Sequence, residues 1–282
     1  SLGTIENPQI RIFNHSKNIG AYQNNYFLLH QAKGDFFTWL ADDDLMHPEF
    51  LRLAHEALST SDALSFFCSY AAAPDPAGIF PGTLGICGNL KIYSGSEFVT
   101  EYATRRIRAV GSYGVFRNQL LEHISSVPRF GSGLAVYVDA FIPFVAASFG
   151  RVAYRNADLV FLRTHLGSQS AHSTALCDYA SAQKDFMLEL CKRGEPWVGV
   201  KMAELWRTSF LWWFAQDAWH VVCRGTMSIP ARTWVFGSFF CKILLPFIPI
   251  RQKVKFTWRA LKLLGRDIVR QIINVFLVKI RR

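Results

Sequence analysis

Residues 34–50 read GDFFTWLADDDLMHPEF, with three consecutive carboxylates, Asp42, Asp43 and Asp44. An apolar run (Phe36, Phe37, Trp39, Leu40) precedes them, and Pro48 follows. An apolar run bounded by turn signals reads as a buried strand, and Pro48 reads as the opening of a helix. The acids therefore stand where a buried strand ends, which in open α/β sheets is where ligands bind. Three adjacent acids repel one another, and burying them unpaired is costly. A hard divalent cation suits such a cluster: it takes oxygen ligands and is completed by substrate phosphates. A solvated acidic turn, with Asp44 near a helix N-terminus, is the alternative reading.

Upstream stand Asn18-Ile19-Gly20, then Asn24-Asn25, then Ala32-Lys33-Gly34-Asp35. Taken in order with the acid cluster, these pieces resemble family 2 glycosyltransferases of the GT-A fold over residues 8–170. In that family an NxG…N…A-x-G-[DE] run precedes a strand ending in a DxD-type cluster. The resemblance implies an α/β, Rossmann-like domain that binds a nucleoside-diphosphate sugar. It also implies a Mn²⁺ or Mg²⁺ ion held by Asp43 with Asp42. Asn18, Gly20, Asp42 and Asp44 are the implied donor contacts.

Further along, residues 131–147 read GSGLAVYVDAFIPFVAA, an apolar stretch with one acid, Asp139. The resemblance implies that Asp139 is the general base of an inverting transferase. Val138 stands where the family often has a second acid, so the role rests on Asp139 alone. An Asp that merely favours the first turn of a helix is the other reading. Inversion needs a base on the acceptor side and charge stabilisation at the leaving pyrophosphate. One single and one clustered acidic site fit that division. Residues 163–170, RTHLGSQS, resemble the family's R-x-H…S segment, which implies that Arg163 and His165 meet the donor phosphates. Residues 111–117, GSYGVFR, resemble the segment that returns to the sheet beneath the acceptor site.

The 282 residues are half apolar, long enough for a full core and too apolar for disorder. The net charge of +10 is uneven: residues 251–282 hold ten Lys/Arg and one Asp, leaving 21 basic and 20 acidic residues elsewhere. The body is thus nearly neutral, which argues against nucleic acid as a partner and against a metal-dependent nuclease. Six cysteines show no metal spacing and read as reduced, buried thiols. The expected setting is cytoplasmic, peripheral on the inner face of the cell membrane.

The spacing predicts a strand at 9–14, a helix at 21–33, the acid-bearing strand at 35–41 and a helix at 48–58. A strand at 62–69 and a long loop at 71–88 follow. Helices are expected at 96–106, capped by Ser94 or Ser96, and at 118–124, and short strands at 152–154 and 159–162. A helix from 175 to 193 is expected to end at Gly194. An aromatic-rich helix at 198–223 either packs on the main domain or lies at a membrane interface. The first recognisable strand resembles the family's second, so the sequence is expected to be a fragment lacking the usual first strand and helix.

Residues 233–250 are apolar, but Lys242, Pro246 and Pro249 make a spanning helix unfavourable. Arg251, Lys255, Arg259, Lys262, Arg266 and Arg270 then recur at helical steps beside an apolar stripe. That pattern reads as a basic amphipathic helix binding an anionic membrane surface. The organisation expected is a glycosyltransferase domain (1–174), an aromatic-rich helical region (175–250) and the basic helix (251–282). The acceptor implied is a glycan or lipid-linked glycan, as in bacterial surface polysaccharide assembly. The alternative is a degenerate, non-catalytic scaffold at the membrane.

Overall fold

The computed structural model describes residues 9–72, 88–131, 136–163, 176–224, 235–237 and 247. The elements in chain order are α1 (Ala21–Gln31), β1 (Phe36–Phe37), β2 (Leu45–Met46), α2 (Phe50–Ser59), β3 (Ala63–Ala72) and β4 (Leu90–Tyr93). Then come α3 (Gly95–Ala103), a 3₁₀ turn (Gly111–Tyr113), β5 (Val115–Arg117), a 3₁₀ turn (Asn118–Leu120), α4 (Leu121–Ser125), α5 (Val138–Phe149), β6 (Arg151–Leu162) and α6 (Leu176–Arg224).

A mixed sheet forms the centre, in the order β1-β5-β3-β6-β2, with β4 also pairing with β6. Its spine is the parallel pair β3–β6; β5 runs antiparallel to both β3 and β1. Residues along β3 are buried on both faces, as a central strand covered by helices requires. Successive side chains point to opposite faces. Phe66 and Cys68 face α2 and pack with Phe50, Leu53, Ala54 and Leu58. Phe67 faces the other layer, with Phe98 and Tyr102 of α3 and Phe141 and Phe144 of α5. Burial pushes the free Cys68 thiol up to about 12, as expected for an inert core cysteine.

Several sequence expectations hold with shifted ends. In α2 the buried positions are Phe50, Leu53, Ala54, Ala57 and Leu58, one face of a helix, whereas Leu51 lies off that stripe and is 58% exposed. Pro48 precedes the helix rather than opening it. Ser94 caps α3 through a full capping box with Glu97. The two short strands expected at 152–154 and 159–162 are one strand, β6, interrupted by register shifts opposite Cys68, Ser69 and Tyr70. The acid-bearing strand is shorter than expected. Only Phe36 and Phe37 find ladder partners, on β5, and Trp39 N–H donates instead to Ser112 O at 3.3 Å.

Two expectations are corrected. Residues 9–14 form no strand: Ile10, Ile12 and Phe13 are exposed, and Phe13 rests edge-on against Phe27 of α1. A strand is defined by a ladder partner, and no strand of the sheet pairs with this segment among the described residues. The second concerns Gly194, which does not end a helix. α6 continues to Gly199, where φ of +77° breaks it, and then resumes to Arg224. Gly194 stays within the helix, whereas Gly199, at φ 77° and ψ 166°, takes a conformation open essentially to glycine and breaks it.

The aromatic helix packs on the main domain. Trp206, Phe210 and Phe214 are fully buried against α3 and α5 in the same core as Phe67. Trp206 meets Phe144 edge-on and Trp197 at a tilt, and its indole N–H donates to Thr100 Oγ1 at 2.9 Å. No helix among the described residues is long and apolar enough to cross a membrane. The basic stretch 251–282 and most of 233–250 lie outside the described residues. Truncating Trp206 to Ala empties a large site and removes the indole donor to Thr100 Oγ1, whose hydroxyl still donates to Ser96 O. The expected loss is about 3–5 kcal/mol in urea unfolding, without loss of secondary structure in native buffer.

Candidate active site

The acid cluster follows the short β1 and turns back at Asp42 and Asp43 before β2 pairs with the far end of β6. Asp42 is exposed and Asp43 half-buried. Asp44 is tied into the fold. Its Oδ1 accepts the Arg163 backbone N–H at 2.8 Å, and its Oδ2 accepts a short hydrogen bond from the Tyr113 hydroxyl. Both oxygens of Asp44 are thus engaged by protein donors, whereas Asp42 faces outward. Arg163 itself is brought to the cluster by its backbone. His165 lies outside the described residues.

Asp139 stands in the first turn of α5. It lines a cavity of about 100 Å³ with Tyr22, Asn25, Tyr26, Trp39, Ser112 and Ile142. Asp139 is itself exposed at the mouth of that cavity, although protein atoms are dense around its carboxyl. Burial raises its carboxyl above the ordinary carboxylate value, a hydrogen bond from Ser112 opposes the rise, and the charge of Asp44 adds to it. The base candidate thus lies within electrostatic reach of the acid cluster.

Gly111 makes this placement possible. A Cβ at Gly111 would stand 2.2 Å from the Asp139 carbonyl oxygen and 2.7 Å from Ile142 Cβ. Only glycine lets the first turn of α5 rest on the Gly111–Tyr113 turn. The residue before α5, Tyr137, adopts the left-handed conformation (φ 64°), which is unfavourable for an aromatic side chain. α6 holds it there: Gln183 Nε2 donates to the Tyr137 hydroxyl at 2.7 Å, and that hydroxyl lies 3.2 Å from Asp217 Oδ2.

Asn18 and Gly20 form a second hollow, of about 310 Å³, with His15, Lys17, Ile19 and Asn24. Asn18 Oδ1 accepts the Gly20 N–H at 2.8 Å. Gly20 has φ 80° and ψ 156°, a region open essentially to glycine alone. It leads directly into α1, whose first turn has no side-chain cap and no acid. Such a helix start suits an anion. Ala21 lines both hollows, so the two lie side by side.

Among the described residues no group of three or more His, Cys, Asp or Glu forms a ready-made metal cage. Two neighbouring carboxylates at a turn nevertheless suit Mg²⁺ or Mn²⁺, which keeps water and borrows substrate phosphate oxygens. Asp42 and Asp43 fit that donor set. The sequence reading did not single out Tyr22, Tyr26, Ser112, Tyr113 or Tyr137. Ser112 and Tyr113 lay inside the GSYGVFR segment, but nothing in their spacing indicates which acids they hold.

Residues 2–124 match the family model described as Glycosyl transferase family 2. That segment is similar to family 2 glycosyltransferases, and the chain is a mixed α/β sheet followed by a helical part. Among solved structures it is similar to S. aureus TarS 1-349 in complex with UDP-GlcNAc, at 14% identity and a TM-score of 0.43. That likeness covers 70% of this chain and 62% of the TarS chain. No curated protein matches. The family match includes Asn18, Gly20, the acid cluster, Ser112 and Tyr113, whereas Asp139 and Arg163 lie beyond it.

Two outcomes are expected. Gly111→Ala forces the α5 start off its turn and costs about 1–3 kcal/mol of stability by overpacking, read by thermal melting. For Asp139 the protonated form is the one the fold favours. Its contribution to stability is present below the ordinary value of 3.8 and is lost as pH rises through the raised value. Asp139→Asn should therefore melt higher than wild type at neutral pH, with the gap closing as the pH is lowered. A lower melting point for Asp139→Asn at neutral pH would contradict the raised value.

Proposed function

We propose that this chain transfers a sugar from a nucleoside-diphosphate sugar to an acceptor hydroxyl, with inversion at the anomeric carbon. The observation that carries the reading is Asp139. A single carboxylate with a raised proton affinity faces a cavity beside the acid cluster, in a chain whose residues 2–124 are similar to family 2 glycosyltransferases.

Asp139 takes the proton of the acceptor hydroxyl as that oxygen attacks the anomeric carbon. The bond from that carbon to the β-phosphate oxygen breaks, and the nucleoside diphosphate leaves with the electron pair. A carboxylate shifted toward neutral pH is a better base than an ordinary one, provided that it remains ionised. Asp43 and Asp42 would hold Mn²⁺ or Mg²⁺, which supplies positive charge at the leaving pyrophosphate. The hollow at Asn18 and Gly20, with the start of α1, suits a phosphate or ribose of the donor. Arg163 and His165 are assigned to the donor phosphates. Trp39, Tyr22 and Tyr26 give the cavity aromatic walls, against which a sugar ring can pack.

The acceptor is assigned to a glycan or lipid-linked glycan at an anionic membrane surface, in bacterial polysaccharide or glycolipid assembly. The basic, amphipathic spacing of residues 251–282 supports that setting.

Calorimetric titration with a panel of nucleoside diphosphates and their sugars, with and without Mn²⁺, tests the donor half. Metal-dependent binding is expected in wild type and absent in Asp43→Ala. Asp139→Asn should bind the same donor normally, with turnover reduced about 10²–10⁴-fold. Unchanged turnover in Asp139→Asn would remove the base from the mechanism.

A further inference from the structure

Both oxygens of Asp44 meet donors from distant parts of the chain. Oδ1 accepts the Arg163 backbone N–H at 2.8 Å, one residue beyond the end of β6. Oδ2 accepts the hydroxyl of Tyr113, from the turn that runs into β5. One carboxylate therefore ties the end of the acid cluster to the exit of β6 and, through β5, to the middle of the sheet.

Two of these three segments are held by regular structure. Asp44 leads into β2, whose Leu45 pairs with Phe161. Tyr113 is 5% exposed, with its ring in the apolar layer shared by the sheet and α2. Burial first, and the Asp44 carboxylate next, push its hydroxyl well above the ordinary tyrosine value, so it stays protonated and remains a donor. Arg163 is the first residue past its strand, and its N–H is held by the Asp44 side chain.

We propose that Asp44 is a positioning residue for donor binding, with Tyr113 as its support: the carboxylate holds the Arg163 backbone at the acid turn, so that the guanidinium meets a diphosphate beside the Asp42–Asp43 pair. Asp44 thus acts through Arg163 and is not a ligand of the metal. The proposal rests on the reading of a nucleoside diphosphate bound at that pair.

A carboxylate suits this task. It accepts from two donors at once, and hydrogen bonds to an ionised acceptor are about twice as strong as neutral ones. Neutral donors on both oxygens also disfavour an ion pair between Asp44 and the Arg163 guanidinium, which would draw that guanidinium off a phosphate. Arginine recognises phosphate through a planar, two-pronged fork, so the placing of its backbone matters. With the latch open, Arg163 keeps its charge and loses its place, and the cost falls on phosphate affinity.

The test is calorimetric binding of the nucleoside diphosphate panel to the full chain with Mn²⁺, read alongside NMR hydrogen exchange at the Arg163 amide. Asp44→Ala should weaken binding about tenfold, the size of one hydrogen bond to a charged group. Tyr113→Phe should weaken it in the same direction, and both should speed exchange at the Arg163 amide. Asp44→Asn keeps an acceptor for the Arg163 N–H and a polar partner for the Tyr113 hydroxyl, so it should stay within about threefold of wild type and keep its dependence on Mn²⁺. Arg163→Ala should weaken binding in the wild-type background and add little on top of Asp44→Ala, a coupling that a residue acting only on fold stability would not show. Should Asp44→Ala fold poorly, Tyr113→Phe carries the same cycle with Arg163→Ala. Loss of manganese-dependent binding in Asp44→Asn, as in Asp43→Ala, would make Asp44 a metal ligand and overturn the proposal. Unchanged affinity in both Asp44→Ala and Tyr113→Phe would overturn it too, as would additive effects of Asp44→Ala and Arg163→Ala. Failure of the underlying reading looks different: wild type would then bind no nucleoside diphosphate with Mn²⁺, while Asp44→Ala still sped exchange at the Arg163 amide. That result would leave the latch and remove its purpose in donor binding.

Discussion

The close approach at Gly111 is the constraint on which the site depends. A helix start bearing the candidate base lies directly on a turn whose last residue, Tyr113, holds Asp44 of the acid cluster. Without a Cβ at Gly111 the contact is possible; with one, the Asp139 backbone has to move. The turn also receives the chain just before the acid cluster through the Trp39–Ser112 hydrogen bond. The geometry between Asp139 and the acid cluster is therefore set by backbone contact, which is stiffer than contact through long side chains.

The helical part of the chain supports this arrangement from behind. Tyr137 takes an unfavourable backbone conformation to start α5 where the turn needs it. Such strain persists only when its surroundings over-determine it. Gln183 and Asp217, from the two halves of α6, meet at the Tyr137 hydroxyl, and its ring packs on Phe186 and Phe214. The aromatic residues of α6 are thus core for this fold, and their density is explained by burial against α3 and α5.

The parts legible in the sequence were those written locally. The acid cluster, the stripe of α2, the Ser94 cap and the isolated Asp139 each declare themselves within a few residues. Tyr113 and Asp44 are 69 residues apart, and Arg163 and Asp44 are 119 apart. Nothing at either end of those pairs signals the other, so the latch on Asp44 emerged only from the fold. The expected strand at 9–14 failed for a related reason: alternating apolar residues describe a segment able to pair, while pairing itself depends on a neighbour. The misplaced helix end at Gly194 came from treating glycine as a stop by identity; its conformation decides, and Gly199 has the non-helical one, with φ 77° and ψ 166°.

The central claim is that Asp139 and the Asp42–Asp43 pair act on opposite sides of one sugar. The most direct measurement is a crystal structure of the chain soaked with Mn²⁺ and the nucleoside-diphosphate sugar that binds it best, with the manganese located by anomalous scattering. The account expects the anomalous peak at Asp43 and Asp42, the pyrophosphate against it, and the anomeric carbon turned toward the cavity in front of Asp139. A sugar whose anomeric carbon faces away from Asp139, or a manganese bound elsewhere, would contradict it.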